Sequence, residues 1–397
     1  MAEFFDALET RSAEDRAAAQ LQMLQAQIAR VRASKAPVRP DEVNSLSDLA
    51  NLPIVRKSDL LLWQKEHPPF GGLPVQNVTH IFQSPGPIYE PGGSGHDWWR
   101  MGRFLHAAGI AAGDVVQNCF GYHLTPAGSI FESGARAVGA VTVPAGTGQT
   151  ELQVRAALSA NVTAYAGTPD YLKIILEKAD EMDVTLAVTR AVVGGGALFP
   201  SLRAWYEDRG ISCLQCYATA DLGNIAYESA SKEGMIVDEG VIVEIVTPGT
   251  GDPVPTGEVG EVVVTSLNPD YPLIRFATGD LSAVMTGQSP CGRTNMRIKG
   301  WMGRADQTTK IKGMFVRPEQ VADFVKKHKE VTRARVVATR DGERDVMTLQ
   351  VEGSANAIAA YEASARDVMK MSAVIQIHGQ GELPRDGKVI DDLRNYD

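Results

Sequence analysis

Residues 271–281 read Tyr-Pro-Leu-Ile-Arg-Phe-Ala-Thr-Gly-Asp-Leu. This stretch sets an apolar run, typical of a buried strand, beside Arg275 and ends in Thr278-Gly279-Asp280. Burying an arginine or an aspartate is costly unless each finds a partner. A Gly-Asp turn at the end of a strand can present its carboxylate to a ligand with paired hydroxyls, such as a ribose. Taken alone, however, Asp280 could simply cap a helix or a turn.

Upstream of this stretch, strand and helix patterns alternate. Extended segments are predicted at 114–120, 139–144, 163–167 and 191–194, and helices at 127–138, 153–160 and 169–180. A further helix is predicted at 12–34, where Ser12 begins a Ser-x-x-Asp start and apolar residues recur at helical spacing. Strands that alternate with helices indicate a parallel sheet with helical crossovers.

The pattern changes twice towards the C-terminus. Residues 235–285 carry strand runs separated by turn residues, which favours antiparallel pairing. After Gly303 a smaller unit follows, with strands at 309–313, 333–338, 346–351 and 373–378 and helices at 318–328 and 356–369. We therefore predict an α/β fold. A large N-terminal domain of mixed sheets and helices spans 1–303, and a small α+β domain spans 304–397.

Composition excludes several classes of protein. The 397 residues are 44% hydrophobic and carry a net charge of −9, which disfavours a nucleic-acid surface. No apolar run approaches the ~18 residues of a membrane helix. Residues 1–30 lack the apolar region of a signal peptide, so we expect a cytoplasmic enzyme with neither nucleic acid nor membrane as a partner.

The four cysteines do not suggest a disulfide scaffold in a chain of this length. Cys213 and Cys216 have metal-ligand spacing, and Cys291 is a third thiol. A closed zinc site needs four ligands, so buried reduced thiols are the expected reading.

Two further motifs are considered together with residues 271–281. One is Gly303-Arg304-Ala305-Asp306, followed by Lys310-Ile311-Lys312-Gly313, and the other is Leu383-Pro384-Arg385-Asp386-Gly387-Lys388. Together the three resemble the adenylate-forming (acyl-CoA synthetase) superfamily, and within it the phenylacetate-CoA ligase branch. The resemblance extends over nearly the whole chain. It includes 52–60, which reads like that branch's Leu-Pro…Lys-x-Asp-Leu segment.

The resemblance implies an AMP-forming acid–CoA ligase with a mobile C-terminal lid. A carboxylic acid, of an aryl type such as phenylacetate, attacks the α-phosphate of ATP and pyrophosphate leaves. The thiol of coenzyme A then captures the acyl-adenylate. ATP, Mg²⁺ and coenzyme A are the implied cofactors, and a homodimer is the implied assembly.

The resemblance also assigns roles to residues of the three motifs. Asp280 would hold the ribose hydroxyls, and Arg275 is grouped with the adenylate contacts. Asp306 would be the hinge about which the small domain rotates, with Arg304 as a phosphate or ribose contact. Lys388 would bridge the carboxylate and the α-phosphate in the first half-reaction. By residue type alone, a lysine near a terminus is usually just solvated.

Residues 216–221, Cys-Tyr-Ala-Thr-Ala-Asp, line up with the family's Tyr-Gly-x-Thr-Glu motif. Tyr217 would stack on adenine, and Asp221 would stand where the family has a magnesium-binding glutamate. Ala220 replaces a hydroxyl residue. Thr219 is grouped with the adenylate contacts, although it points elsewhere if the segment is extended.

Two further sites follow from the resemblance. Gly196 and Ala197, after the strand at 191–194, match the adenine loop in part, with Leu198 in place of its glutamate. Tyr122 and His123 match the region that lines the aryl pocket. A core tyrosine and a satisfied histidine are the alternative for that pair.

One family motif is missing. Where the family has a Ser-Ser-Gly-Thr-Thr-Gly-Lys-Pro loop around the ATP phosphates, residues 83–95 read Gln-Ser-Pro-Gly-Pro-Ile-Tyr-Glu-Pro-Gly-Gly-Ser-Gly. Lysine and threonine are absent, the prolines remove backbone donors, and Glu90 adds negative charge. Two hypotheses therefore stand. The first is the ligase, and the second is a catalytically lapsed or ATP-independent acyl- or nucleotide-binding homologue.

Overall fold

The computed structural model of the chain describes residues 3–84, 87–305, 309–312, 314–341, 344–384, 386 and 388–394; the side chains of residues 310, 315 and 341 are not described. The helices are α1 (Ala13–Ala33), α2 (Lys57–Glu66), α3 (Gly102–Ala107), α4 (Ala127–Ala137), α5 (Thr150–Ser159), α6 (Pro169–Glu181), α7 (Pro200–Glu207), α8 (Pro318–Lys327) and α9 (Ile358–Met369). Short 3₁₀ helices lie at Ala7–Thr10, Leu46–Asn51 and Ala355–Ala357.

The first strands are β1 (Val55–Arg56), β2 (Val78–Ser84), β3 (Ile88–Gly93), β4 (Val115–Asn118), β5 (Val141–Pro144), β6 (Ala164–Gly167), β7 (Arg190–Val193), β8 (Ser212–Thr219), β9 (Gly223–Tyr227) and β10 (Met235–Val237). The later strands are β11 (Val241–Val246), β12 (Val259–Ser266), β13 (Phe276–Met285), β14 (Arg297–Ile298), β15 (Thr309–Ile311), β16 (Met314–Val316), β17 (Arg333–Asp341), β18 (Arg344–Glu352), β19 (Val374–His378) and β20 (Ile390–Asp392).

The chain divides into two compact units. The first comprises Met1–Val243, Val264–Phe276 and Met285–Trp301, and the second comprises Glu244–Val263, Ala277–Val284 and Met302–Asp397. The chain passes from the first unit to the second for the last time after Trp301, close to the predicted domain boundary at residue 303. Two internal segments of the predicted large domain join the second unit. The predicted hinge, Asp306, lies outside the described residues, so the division into domains at a hinge stays a prediction.

The first unit is built on a sheet with the strand order β5-β4-β6-β7-β8-β9-β10-β14. Pairing is parallel from β5 to β8 and antiparallel from β8 through β9 and β10 to β14. Helices α4, α5, α6 and α7 connect the parallel strands. The alternation of strand and helix in the sequence therefore predicted both the parallel half of the sheet and its helical crossovers.

Alternate residues of the parallel strands face two different cores. Tyr165, Ala191 and Cys213 pack in one cluster, and Ala164, Val192 and Leu214 pack in another. A strand buried on both faces in this way needs a nearly continuous apolar run. The sequence of β6, β7 and β8 supplies such runs.

The second unit contains a sheet of order β19-β18-β17-β20. Strands β17 and β18 pair as an antiparallel hairpin, while β18–β19 and β17–β20 are parallel pairs. A core that includes Phe324 of α8, Tyr361 of α9 and Leu349 of β18 holds the helices on this sheet. The small α+β lobe predicted from residue 304 onward is present, with β16 and β20 as strands that the pattern did not indicate.

None of the helices in the described part of the chain combines the length and apolar character needed to cross a membrane.

Candidate functional site

The Thr278-Gly279-Asp280 turn lies within β13, in the second unit. The backbone N–H of Asp280 donates to the hydroxyl of Thr278 at 3.1 Å, and that hydroxyl donates to the carbonyl of Val262 at 3.0 Å. Thr278 therefore ties the turn to β12. Gly279 has a φ of +74°, which a residue with a side chain rarely adopts.

Asp280 and Arg304 come together at this turn. Nη1 of Arg304 lies 3.0 Å from Oδ1 of Asp280, and the two residues form an isolated antiparallel bridge. A Cβ on Gly279 would lie 2.7 Å from Nη2 of Arg304, so a side chain there would displace the guanidinium from its place across the turn. The sequence predicted both residues as ligand contacts, and the ion pair holds their two charged groups side by side.

Lys388 lies near the C-terminus, in the same unit. Its side chain is half-exposed, and Nζ is 2.9 Å from Oδ1 of Asp391. The lysine also lines a pocket of about 280 Å³ formed with residues of 247–259, α8 and β17. An exposed ion pair of this kind contributes little to stability, so the lysine can exchange its partner at small cost. Its predicted role at the α-phosphate stays a prediction.

Tyr217 and Thr219 stand at the end of β8, in the first unit. Tyr217 is buried and pairs with Ala226 of β9. The hydroxyl of Thr219 accepts a hydrogen bond from the N–H of Leu222 at 3.1 Å, which closes the turn that carries Asp221. Thr219 is thus engaged within its own turn. The predicted adenylate contacts of both residues stay predictions.

The glycine-rich segment directly follows β7, the strand that pairs with β8. A Cβ on Gly194 would lie 3.1 Å from the Sγ of Cys216, so a side chain at this position would crowd the neighbouring strand. Gly196 and Ala197 are exposed, as an adenine loop requires, and their contact with a base stays a prediction.

Tyr122 and His123 differ in their surroundings. The Nδ2 of Asn118 donates to the Tyr122 hydroxyl at 2.8 Å, and a Cβ on Gly128 would lie 2.7 Å from the Tyr122 ring. Burial and the neighbouring Glu132 raise the pKa of this phenol. The tyrosine is therefore fixed against α4, whereas His123 is exposed. Their role in an acid pocket stays a prediction.

Arg275 is buried, with 2% of its surface exposed. Its Nη1 donates to the carbonyls of Ala50 and Leu52 at 3.0 and 2.6 Å, and its own carbonyl accepts from the N–H of Val55. These bonds fasten residues 50–55 and hold Arg275 at a φ of +48°, a conformation unusual for a long side chain. These bonds give Arg275 a structural role within the protein. The predicted contact of Arg275 with the adenylate stays a prediction.

The segment that replaces the phosphate-binding loop is an antiparallel hairpin of β2 and β3, with Gln83 paired to Tyr89 and Ser84 to Ile88. Pro85 and Gly86 lie outside the described residues. Glu90 is completely buried in β3, and its Oε2 accepts from the N–H of Ser84 at 3.2 Å. The sequence showed Glu90 as an added negative charge, but did not indicate that it is buried.

Glu90 has charged neighbours from distant parts of the sequence. Asp221 is also buried, and its Oδ2 pairs with Nζ of Lys57 at 3.1 Å. Burial first, and then the charge of Asp221, raise the pKa of the Glu90 carboxyl to about 7. Burial and the same two carboxylates raise the pKa of the Tyr271 phenol. Lys57 and Tyr271 both stand in the quoted motifs, but nothing in their spacing indicated this cluster.

The cysteines are free thiols. Cys213 and Cys216 lie three residues apart on β8 and therefore face opposite sides of the sheet, in two separate cores. Burial raises the pKa of Cys119 and of Cys213 to about 12. Within the described ranges, no cluster of three or more His, Cys, Asp or Glu side chains could hold a metal. Cys119, Cys213 and Cys216 are buried, as expected, and their reduced state stays a prediction.

Comparison with known proteins finds relatives that are named phenylacetate-coenzyme A ligase. The phenylacetate-coenzyme A ligase of Aromatoleum evansii is 30% identical over 334 residues, which cover 79% of this chain and 74% of that protein. The enzyme of the same name from Thermus thermophilus is 30% identical over 339 residues, covering 81% and 75%. No family model matches the chain.

A solved structure is similar over almost the whole chain. 2-Hydroxyisobutyryl-CoA ligase, in complex with 2-HIB-AMP and CoA in the thioesterification state, superposes with a TM-score of 0.70 and 25% identity. The match covers 99% of this chain and 93% of that one. The predicted α/β fold with a small C-terminal domain is thereby confirmed.

Proposed function

The chain belongs to the phenylacetate-coenzyme A ligase family, and we propose that it is an AMP-forming ligase that joins an aryl carboxylic acid to coenzyme A. The reaction has two halves. The acid attacks the α-phosphate of ATP to give an acyl-adenylate and pyrophosphate. The thiol of coenzyme A then displaces AMP to give the thioester.

The observation that carries this proposal is the Asp280–Arg304 pair on the Thr278-Gly279-Asp280 turn. Oδ1 of Asp280 lies 3.0 Å from Nη1 of Arg304. In the proposed complex, the Asp280 carboxylate also accepts hydrogen bonds from the two ribose hydroxyls. Arg304 is half-exposed and donates to phosphate or ribose oxygens. Charge-assisted hydrogen bonds of this kind are stronger than neutral ones.

Lys388 acts in the first half-reaction. Its ammonium leaves Asp391 and offsets the negative charge that develops between the carboxylate and the α-phosphate. We propose that the small domain turns about Asp306 after adenylation, which withdraws Lys388 and admits coenzyme A. Tyr217, Gly196 and Ala197 form the adenine contacts in this scheme, with Arg275 and Thr219 as supports behind them.

Asp221 would hold magnesium. Its Oδ1 is buried without a hydrogen-bond partner among the described residues, and an oxygen of a carboxylate is the ligand that this cation prefers. When bound, the cation neutralises phosphate charge and favours the departure of pyrophosphate.

The relatives and the similar structure differ in the acid that their names give, phenylacetate in one case and 2-hydroxyisobutyrate in the other. We propose the aryl acid because the relatives with that name reach the higher identity, and we place the ring beside Tyr122 and His123. We further propose a cytoplasmic homodimer that takes neither nucleic acid nor a membrane as partner. Size-exclusion chromatography with light scattering tests the dimer.

A second function is favoured by one observation. The buried Glu90 stands in the segment where the family holds the ATP phosphates, which would suit an acyl- or nucleotide-binding protein that no longer cleaves ATP. Release of AMP from MgATP, measured with a panel of aryl and aliphatic acids, separates the two. The ligase predicts acid-dependent release that Lys388→Ala abolishes, whereas the lapsed protein predicts binding of nucleotide or acid without release.

A further inference from the structure

The loop before β14 carries Cys291, a thiol that the proposed reaction does not use. Cys291 is half-buried, whereas Cys119, Cys213 and Cys216 are buried. A thiol that keeps part of its surface in water can be reached by a small reagent, and a fully buried thiol is inert. Of the four thiols, Cys291 is therefore the one that a reagent can reach in the folded protein.

Two side chains make hydrogen bonds to the sulfur of Cys291. Its Sγ lies 3.1 Å from Oγ of Ser289, and Nη1 of Arg293 donates to it at 3.6 Å. Both partners are buried, so little water competes for these bonds. A sulfur that is contacted by a hydroxyl and by a positively charged donor is better suited to the thiolate than to the neutral thiol.

The guanidinium of Arg293 has one donor group without an acceptor. The side chain is 5% exposed, and its Nη2 is buried without a hydrogen-bond partner among the described residues. The oxygens of Glu9 are already engaged. Oε1 accepts from Nε of Arg293 and from the Tyr227 hydroxyl, and Oε2 accepts from the N–H of Phe5. A buried donor without an acceptor is unfavourable, and an oxygen bound to the neighbouring sulfur would satisfy it.

The same contacts favour ionisation of the thiol. Burial raises the pKa of Cys291, but hydrogen bonds with Ser229, Ser289 and Arg293 outweigh burial and lower this pKa overall. At Cys119 burial acts alone and raises the pKa to about 12. The thiolate is the nucleophilic form of cysteine, so the surroundings of Cys291 favour reaction and those of Cys119 oppose it.

We propose that Cys291 is a modification site at which hydroperoxides form a sulfenic acid, and that Arg293 stabilises the product. The thiolate sulfur attacks the distal oxygen of the hydroperoxide. An S–O bond forms as the O–O bond breaks, and the alkoxide or hydroxide leaves with the electron pair and takes a proton from water. The sulfur is oxidised by two electrons, and the hydroperoxide is reduced to an alcohol or to water.

The oxygen of the sulfenate is the acceptor that the guanidinium lacks. It carries negative charge, so its hydrogen bond from Nη2 of Arg293 is charge-assisted, while Nε of Arg293 stays on Glu9. All of these residues belong to the first unit. The inference goes beyond the proposed ligase function and does not rest on it.

The test is labelling of individual cysteines in the full-length protein. Reduced, folded protein is treated with hydrogen peroxide in the presence of dimedone, which traps sulfenic acids, and the label on each cysteine is measured by peptide mass spectrometry. We expect Cys291 to be labelled about tenfold faster than the three buried cysteines. In Cys291→Ser, labelling at this position disappears and labelling of the other three stays as slow as in the wild type.

Two variants separate the contacts of the sulfur from its exposure. Arg293→Lys keeps a positive charge opposite Glu9 but lacks the second donor group, and Ser289→Ala removes the hydroxyl. Each should slow the labelling of Cys291 by about fivefold. Ser159→Ala, a change to an exposed serine at the end of α5, is the control and leaves the rate unchanged. Circular dichroism and the thermal midpoint show that each variant folds.

A second readout is the pH profile of alkylation by iodoacetamide. In the wild type, the pH of the half-maximal rate at Cys291 should lie below the value of about 8.5 for a free cysteine. It should rise in Arg293→Lys and in Ser289→Ala. A change in exposure alone would alter the rate without moving this pH.

Three results would overturn the proposal. One is labelling of Cys291 by dimedone that is no faster than labelling of the buried cysteines in the folded wild type. Another is a half-maximal alkylation pH for Cys291 at or above that of a free cysteine. The third is an unchanged labelling rate and an unchanged pH profile in the folded variants, which would leave exposure as the sole cause of reactivity.

Discussion

Arg304 lies across Gly279 and places its Nη1 3.0 Å from Oδ1 of Asp280. The two residues are 24 positions apart and are joined by a backbone bridge as well as by their charges. Within the proposed adenylate site, this pairing orients the Asp280 carboxylate before a nucleotide arrives. Such preorganisation lowers the cost of binding.

Replacement of Asp280 by asparagine should weaken ATP binding specifically. The variant keeps the shape of the side chain but loses charge-assisted hydrogen bonds, which contribute about 1.5–3 kcal/mol each. We expect the KM for ATP to rise by about ten- to a hundredfold, with the KM for the acid little changed. Steady-state pyrophosphate release measures both constants, and an unchanged KM for ATP would contradict the assignment.

Gly279→Ala tests the turn itself. A methyl group there would lie 2.7 Å from Nη2 of Arg304 and would sit at a φ of +74°. The positive φ alone costs on the order of 1 kcal/mol. Gly257→Ala is the matched control, since Gly257 has a φ of +90° with open space around it. Both variants should lose stability, and the KM for ATP should rise in Gly279→Ala only.

Lys388→Ala should separate the two half-reactions. Loss of a charge that stabilises the first transition state should slow adenylation by about 10²- to 10³-fold. Thioester formation from a supplied acyl-adenylate should proceed at the wild-type rate. Lys370→Ala removes another exposed lysine of the same unit and should affect neither step. Equal slowing of both half-reactions by Lys388→Ala would show that the lysine supports the fold.

The free energy of unfolding should depend on pH through Asp97. Burial first, and then the charge of Asp238, raise the pKa of this carboxyl from 3.8 to about 6. Between pH 4 and 6 the folded protein therefore binds a proton that the unfolded chain has released. By linkage, the stability from this group is complete below pH 4 and is lost as the pH rises to 6.

The measurement for Asp97 is urea unfolding at several pH values, with Asp97→Asn as the comparison. Asparagine keeps an oxygen for the N–H of Gly102, which donates to Asp97 at 3.0 Å, but it does not titrate. Relative to the wild type, the variant should gain about 1–3 kcal/mol between pH 4 and 6. If the free energies of unfolding of the wild type and of Asp97→Asn change in parallel with pH over that range, Asp97 does not titrate there.

Much of the fold could be read from periodicity. The limits of α1, α4 and α6 agree with the predicted helices to within one or two residues, because each has a continuous apolar face or a defined start such as Ser12, whose hydroxyl accepts from the N–H of Asp15. The short strands β16 and β20 were not indicated. Three residues give too little pattern to separate a strand from a loop.

The site was predicted less completely than the fold. Asp280 and Arg304 were each predicted as ligand contacts because both stand in recognisable motifs, but their ion pair was not predicted. The burial of Glu90 could not, since its neighbours Asp221 and Tyr271 come from 131 and 181 positions further along the chain. The sequence shows the sign of the charge on Glu90, whereas only the packing of β2 and β3 shows that this charge is removed from water.

The central claim is that this chain activates a carboxylic acid as an adenylate. It is tested most directly by incubating the protein with MgATP and a panel of aryl and aliphatic acids that includes phenylacetate, without coenzyme A, and measuring pyrophosphate release. The account predicts release that depends on the acid and is lost in Lys388→Ala. If no acid, aryl or aliphatic, supports release by the folded protein, or if Lys388→Ala releases pyrophosphate at the wild-type rate, the account is contradicted.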